Sequence, residues 1–311
     1  MPFAIGGNSR IRTNIPAENA YNAMDVSNRD ISLRQLRLST GLRINNAGDD
    51  VAGYITARAL QARNGALNSA INTVGDAKNV TSIAMDGLDN INSLITKIKD
   101  ATAQAASGAL GTDEKVALAK AAYRLTQQIQ TIVDSTVFAG SQLLDGSFSA
   151  NFVIGFNATN SLLTLVIDLQ EQSTEYNISS NNFNVNSLGT GFFAGITGLD
   201  LRELDNVTST NLGIFSDTQI GTTLTSFAEA LNNANKVAAY LGGIQNRLDS
   251  QEDLLKSQIV NYKAAISRIE DADIAKEQLQ LMKSQFLQQT SLTSLAQANQ
   301  NPSSFLQLIQ G

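Results

Sequence analysis

The stretch LQARNGALNSAINTVGDAKNVTSIAMDGLDNINSLITKI, residues 60–98, decides the fold. Leu60, Leu67, Val74, Thr81, Leu88 and Ile95 recur every seven residues, and Arg63, Ala70, Ala77, Ala84, Ile91 and Ile98 follow three residues behind them. Two such rows fall on one stripe of an α-helix, which is the pattern of a coiled-coil seam. The alanines of the second row let a neighbouring helix approach closely. A second seam lies far along the chain, at Phe227, Ala234, Leu241, Leu248, Leu255, Tyr262 and Ile269. Its companion row is less regular and mixes Leu231, Val237, Ile244, Ile259 and Ile266. The run stops there because Lys276 and Lys283 occupy its next positions.

Working outward, the spacing predicts a first helix from Pro16 to Ser39, with Ala17, Met24, Ile31 and Leu38 as a narrow apolar face. The companion positions include Ser27 and Arg34, so this seam is thin. An irregular connector follows at residues 40–50, and Asp49 or Asp50 is placed to cap the next helix. Residues 107–112 break the long seam helix. Another helix then runs to about Val133, with Val116, Ala119, Tyr123, Ile129 and Ile132 as its apolar set. A last helix carries Leu279, Met282, Phe286, Leu292 and Leu295, and Pro302 marks its expected end or restart.

The middle is different. Residues 147–222 are rich in Asn, Ser, Thr and Gly, with short β-leaning runs at 152–154 and 162–167. They hold seven acidic residues and one basic residue, Arg202, so they account for the whole net charge of −6. A charged middle between neutral arms reads as a solvated module attached to packing-prone helices.

Composition narrows the chemistry. The 311 residues include no Cys and no His, which removes thiol and imidazole catalysis and the usual zinc, haem and copper ligand sets. Aromatics are 6%, too few for a thick globular core, so helices packed in seams are expected. No apolar run approaches the ~18 residues of a membrane span, and no conventional cleaved signal peptide is expected at the start.

The expected architecture is mainly α: an elongated antiparallel helical bundle or coiled coil drawn from both chain ends, with a small β-rich module at its far tip. Both termini then lie at one end. After Lys283 there is no charged side chain for 28 residues, so the last helix offers apolar surface with few partners in its own chain. Exposing such surface costs about 25 cal/mol per Å².

Other candidate sites resolve to simpler readings. Asp49 and Asp50 are adjacent on a helix start and do not face one another, so capping explains them better than catalysis. The run Gly189-Thr190-Gly191-Phe192-Phe193-Ala194-Gly195 lacks the Lys and Ser/Thr of a phosphate loop and reads as a turn-rich connector. Arg10, Arg12, Arg29, Arg34, Arg37 and Arg43 give the first 46 residues a net charge of +3, without the interleaved aromatics of a nucleic-acid surface. Salt bridges to neighbouring subunits are the expected use. Asn157, Asn177 and Asn206 each open an N-x-Ser/Thr sequon, a frequent pattern in an Asn- and Thr-rich stretch.

Both chain ends resemble bacterial flagellin. The resemblance rests on RLSTGLRINNAGDDVAG at 37–53, SRIEDADIAKE at 267–277 and LAQANQ at 295–300. It covers roughly residues 1–145 and 225–311. It implies a self-assembling subunit of the flagellar filament, exported unfolded by a type III route, extracellular, with no catalytic, cofactor or metal residues. The division it implies is 1–45 plus 266–311 as the terminal polymerisation part lining the inner tube, 46–146 plus 223–265 as a helical rod, and 147–222 as the outward variable module. The implied polymerisation interface is Leu36, Leu38, Leu42, Ile44, Leu279, Met282, Phe286, Leu292, Leu295, Phe305 and Leu306. The implied inter-domain connector is Arg43, Asn45, Asn46, Asp49, Asp50, Arg268, Asp271 and Asp273. Implied partners are further copies of the chain, the flagellar cap and hook-associated proteins, and an export chaperone on about 270–311; no nucleic acid and no membrane. In many members an innate immune receptor reads Arg and Leu where this chain has Lys97 and Ala101, and an acidic residue where it has Ala119 and Lys120, so that partner does not carry over. The alternative within the same machinery is a hook–filament junction protein. Outside it, a soluble coiled-coil adhesin or signalling rod would not need both termini for assembly.

Overall fold

The computed structural model describes residues 13–157, 161–170, 173, 175, 185, 192–197 and 199–310, with side chains described for all of these except Phe192, Thr197 and 301–310. Five long helices dominate: α1 Ile15–Thr40, α2 Val51–Ala105, α3 Thr112–Ser135, α4 Ile220–Glu270 and α5 Ile274–Gln310. Between α3 and α4 come three antiparallel strand pairs: β1 Val137–Phe138 with β2 Ser141–Gln142, β3 Ser149–Phe156 with β4 Leu162–Asp168, and β5 Phe192–Phe193 with β6 Ile196–Thr197. The chain packs as two compact units, residues 1–64 with 260–311, and residues 65–259. We call them the terminal unit and the central unit.

The helix ends follow local chemistry. Asn14 caps α1 by accepting from the Ala17 amide, Pro16 sits in the first turn, and Gly41 closes the helix at φ 72° with its N–H on the Arg37 carbonyl. A left-handed residue at that position favours glycine. Of the two aspartates proposed as caps for α2, Asp50 is the one, accepting from the Gly53 amide at 2.9 Å. Asp273 does the same for α5 through the Lys276 amide at 3.1 Å. Helix α5 continues through Pro302 to Gln310, contrary to the expected end. Proline has no N–H to give the carbonyl four residues back. That carbonyl belongs to Ala298, and the Asn14 side-chain amide supplies the missing bond at 2.8 Å. One side chain therefore caps α1 and repairs α5.

In the central unit the first seam packs as its spacing predicts. Leu67, Ala70, Val74, Ala77, Thr81, Ala84, Leu88, Ile91, Ile95 and Ile98 are all buried. Val80, Gly87 and Leu94 add a third buried line beside them. On α4, Phe227, Ala234, Leu241, Leu248 and Leu255 are buried, and so are Ala230, Val237 and Ile244. Lys78 of α2 reaches Asp249 and Glu252 of α4, both at 2.7 Å, and Asn92 meets Asn235 at 3.2 Å, so the two helices run antiparallel. The buried line of α3 differs from the apolar set expected for it. It is Lys115, Ala119, Ala122, Thr126, Ile129 and Val133, while Val116, Tyr123 and Ile132 are half-buried beside it. Alanine and threonine are the inward residues, so a search for large apolar side chains finds the flank of this helix. Lys115 reconciles its burial with its charge by pairing with Asp217 at 2.6 Å.

Strands β3 and β4 and the β5–β6 turn lie along α4, held by side chains of that helix. Asn233 donates to the Ala194 carbonyl at 3.0 Å, the Tyr240 hydroxyl accepts from the Asp168 amide at 3.3 Å, and Gln251 donates to the Ile154 carbonyl at 2.8 Å. These anchors span about 27 Å of helix at 1.5 Å per residue. The physical reason is cover: a two-stranded sheet cannot bury its own apolar face. Leu165, Ile167, Leu169, Phe193 and Phe215 are buried in the central unit. The β1–β2 and β5–β6 turns share the sequence Phe-Ala-Gly, and both alanines take left-handed backbone, Ala139 at φ 48° and Ala194 at φ 50°.

Candidate assembly surface and connector

The terminal unit is built on α1 against α5. Their hydrogen bonds, Asn14 to Ala298, Asn28 to Gln288 and Arg34 to Glu277, set an antiparallel register. Toward α5, helix α1 turns Ala17, Ala20, Met24, Ser27, Ile31, Arg34 and Leu38, which are buried or half-buried. The inward line of α5 is Glu277, Leu281, Ser284, Gln288, Ser291, Leu295 and Ala298. Its steps alternate between four and three residues, as in a coiled coil, but most of its members are small or polar.

The large apolar residues of α5 face the other way. Leu279 and Phe286 are each 69% exposed and Met282 is 59% exposed. At ~100° per residue these three fall on the side opposite the seam. Leu292 and Leu36 are also exposed, while Leu38, Leu42 and Leu295 are half-buried against the partner helix. Ile44, grouped with the surface candidates by sequence, is buried at 3% exposure. A Cβ at Gly53 would come within 2.6 Å of Asp50 Oδ2 and 2.7 Å of Ile44 Cδ1, so both side chains would have to shift. The side chains of Phe305 and Leu306 lie outside the described residues. Reading single rows missed Tyr21, Val26, Ile274 and Leu287, which add exposed apolar surface to the same two helices. The absence of charge after Lys283 is the signal that could have found Leu287.

Three arginines of α1 pair within the chain. Arg34 Nη1 donates to both carboxylate oxygens of Glu277, at 3.1 and 2.8 Å, and Arg37 Nη1 reaches one of them at 3.5 Å. Glu277 is buried, so its charge needs both partners. Arg29 pairs with Asp25 on the same helix. Arg10 and Arg12 lie outside the described residues.

The connector residues close on one another. Arg43 donates its amide to the Glu270 carbonyl and its guanidinium to the Ile269 carbonyl at 2.7 Å, and it faces Asp50 at 3.7 Å. The Ala272 amide returns a bond to the Gly41 carbonyl at 2.8 Å, and Leu42 bridges Asp271. Asp49 accepts from the amides of Asn45 and Asn46 with one oxygen, both at 3.0 Å. Those two backbone bonds, Asn46 first, hold its carboxyl below the usual aspartate range. Asp271 accepts from Ser267, Gln61 bonds Glu270, and Arg268 is exposed. The arrangement stitches the α1–α2 turn to the α4–α5 turn. Among the described residues no group of three acids gathers as a metal site, and no helix is long and apolar enough to cross a membrane.

Comparison with known proteins converges on one family. Residues 11–149 match the bacterial flagellin N-terminal helical region, and residues 224–309 match the C-terminal helical region. The chain is 30% identical to the flagellin of Bacillus subtilis over 97% of its own length and all of that protein. It is 27% identical to the flagellar filament 33 kDa core protein of Treponema phagedenis, covering 96% of this chain and 99% of that one. A solved structure of a proposed flagellar hook-associated protein from Vibrio parahaemolyticus shares the fold, with TM-score 0.54 at 13% identity over 72% of this chain and all of that one.

Proposed function

The chain belongs to the bacterial flagellin family, and from that premise we propose that the apolar outer faces of α1 and α5 are the surface along which copies polymerise. It is a structural subunit of the flagellar filament, an extracellular motility structure. The observation that carries the assembly reading is the reversed chemistry of α5. Its seam is lined by Ser284, Gln288 and Ser291, while Leu279, Met282 and Phe286 face water. A large contiguous exposed apolar row marks a surface for another protein, and in a homopolymer that protein is another copy.

In this reading Leu36, Leu38, Leu42, Leu279, Met282, Phe286, Leu292, Leu295, Phe305 and Leu306 make contacts between copies, and Ile44 supports them from inside. Residues 1–45 and 266–311 form the inner polymerisation part, 46–146 and 223–265 the next shell, and 147–222 the outward module. The connector of Arg43, Asn45, Asn46, Asp49, Asp50, Arg268, Asp271 and Asp273 transmits position between the first two. Export proceeds unfolded through a type III channel, with a chaperone covering about 270–311 before assembly. Cap and hook-associated proteins meet the ends of the polymer. The terminal helices gain their full order on polymerisation, because their thin seam buries little apolar surface alone. The role is structural rather than catalytic. The hook–filament junction alternative has no observation in its favour.

Removing residues 284–311 tests the reading. The truncated chain stays monomeric, by sedimentation and electron microscopy, under conditions where the full chain forms filaments. Filaments of normal length from the truncated chain overturn it.

A further inference from the structure

The flank of the α1·α5 pair carries a groove of about 390 Å³ lined by Asn22, Ala23, Val26 and Ser27 of α1 and by Leu287 and Ser291 of α5. Its wall is more apolar than its residue names suggest. The Ser27 hydroxyl donates to the Ala23 carbonyl at 2.8 Å and is turned into its own helix. Ala23 contributes only a methyl group, Val26 is 58% exposed and Leu287 46% exposed. Asn22 stands at the rim, so the site has an apolar floor and a polar edge.

The same chain carries a matching projection. Phe286 is the bulkiest member of the outward row of α5 and is 69% exposed. It cannot reach its own groove, because it lies opposite the seam while Leu287, one residue on, is part of the groove wall. An exposed aromatic and an exposed apolar groove at different places on one surface form a head-to-tail pair. Contacts of that kind do not close on themselves and propagate as helical polymers.

Resting on the assembly reading above, we infer that the groove between Ala23, Val26 and Leu287 is the socket for Phe286 of a neighbouring copy. The pair is a specificity-determining contact within the polymerisation surface. Buried aromatic anchors in small apolar pockets dominate interface energetics, and a rim that excludes water surrounds them. The groove volume of about 390 Å³ admits a phenyl ring, and its lining is mainly apolar, so the ring displaces little polar hydration.

The absence of cysteine from the chain gives a clean test. Two full-length variants, Ala23→Cys and Phe286→Cys, are made separately, so that no chain can bridge to itself. They are mixed, polymerised and treated with a short thiol-to-thiol crosslinker, because a phenyl ring seated against Ala23 holds the two Cα atoms beyond the ~4.4–6.8 Å that a disulfide spans. The expected product is the mixed dimer, formed in polymer and absent from the same mixture held monomeric. Polymer that yields no mixed dimer, or only dimers of like variants, overturns the inference. In parallel, Ala23→Trp fills the groove of the full chain without touching Phe286. It raises the critical concentration for polymerisation at least tenfold while leaving helix content unchanged; an unchanged critical concentration overturns the inference. Wild-type chain that never polymerises sinks the assembly reading instead, so the two failures are distinguishable.

Discussion

Helix α2 in the central unit and helix α5 in the terminal unit both turn a heptad-spaced line inward, with opposite chemistry. On α2 the line reads Leu67, Ala70, Val74, Ala77, Thr81, Ala84 and Leu88, and its outward residues are mostly polar. On α5 it reads Glu277, Leu281, Ser284, Gln288, Ser291 and Leu295, and the large apolar residues point out. The same contrast holds for the units as wholes. The buried apolar residues of the central unit form a continuous core that includes Leu88, Ile91, Ile95, Phe215 and Phe227. Among the described residues, those of the terminal unit are few: Ala20, Ile44, Ala57, Leu281 and Ala298. One unit is stabilised by its own interior. The other holds its register with polar and ionic contacts and leaves Leu279, Met282 and Phe286 of α5 exposed.

The sharpest way to break this contrast is to delete equivalent apolar groups from the two units. Leu88→Ala removes a fully buried side chain and is expected to destabilise the central unit by about 3 kcal/mol. Phe286→Ala removes a larger side chain yet shifts the stability of the isolated chain by less than about 0.5 kcal/mol, because nothing in the chain covers it. Chemical denaturation of monomer measures both. Comparable losses would mean that α5 is packed in the monomer as tightly as α2.

A smaller effect is expected at the ionic contact. Glu277→Ala leaves Arg34 and Arg37 facing an apolar gap in a partly buried seam and costs the α1·α5 pair about 2 kcal/mol, after allowance for the part of each arginine that stays wet. Amide exchange reads it as faster opening of α1 and α5, with the protection of α2 and α4 unchanged. If α2 and α4 lose protection equally, the two units do not have separate stabilities.

Acid should act on the central unit through a defined group. Hydrogen bonds from Lys256 and then Lys78 depress the Glu252 carboxyl from 4.5 to about 2. A depressed carboxyl favours the folded state at pH above its unfolded value and loses that contribution as the folded group is protonated. The effect is complete above about pH 4.5 and fades as the pH falls toward 2. Lys78→Met should flatten that part of the stability profile between pH 5 and about pH 2.5. An unchanged profile would remove the pair from the account.

The smallest effect concerns backbone strain. Ala139 is exposed and sits at φ 48° in the β1–β2 turn. Ala139→Gly relieves a left-handed alanine and adds unfolded-state freedom, for a net gain of about 0.5 kcal/mol in the central unit. A loss on thermal melting would show that the alanine makes contacts that matter more than its backbone.

Much of this was legible from residues alone. The seams of α2 and α4 stand out because both faces of that contact are apolar, so each row announces itself. The cap at Asp50, offered together with Asp49, stands out because it acts within three residues of itself. The inward line of α3 was hidden because Ala122 and Thr126 carry no large apolar side chain to mark it. The seam side of α5 was hidden for the same reason, and its apolar row reads equally well as interior or exterior. The passage of α5 through Pro302 depends on Asn14, nearly three hundred positions away, and no local rule contains that partner.

Sequence by itself determined the helices, the cap of α2, the acidic middle and the kinship of both chain ends, because periodicity, capping and charge are properties of neighbouring residues. Tertiary structure decided which face of each helix is inside, that strands β3 and β4 lie along α4, and that Arg34 and Arg37 meet Glu277. Those outcomes depend on what lies opposite each side chain, and an amphipathic pattern specifies a face without naming what covers it.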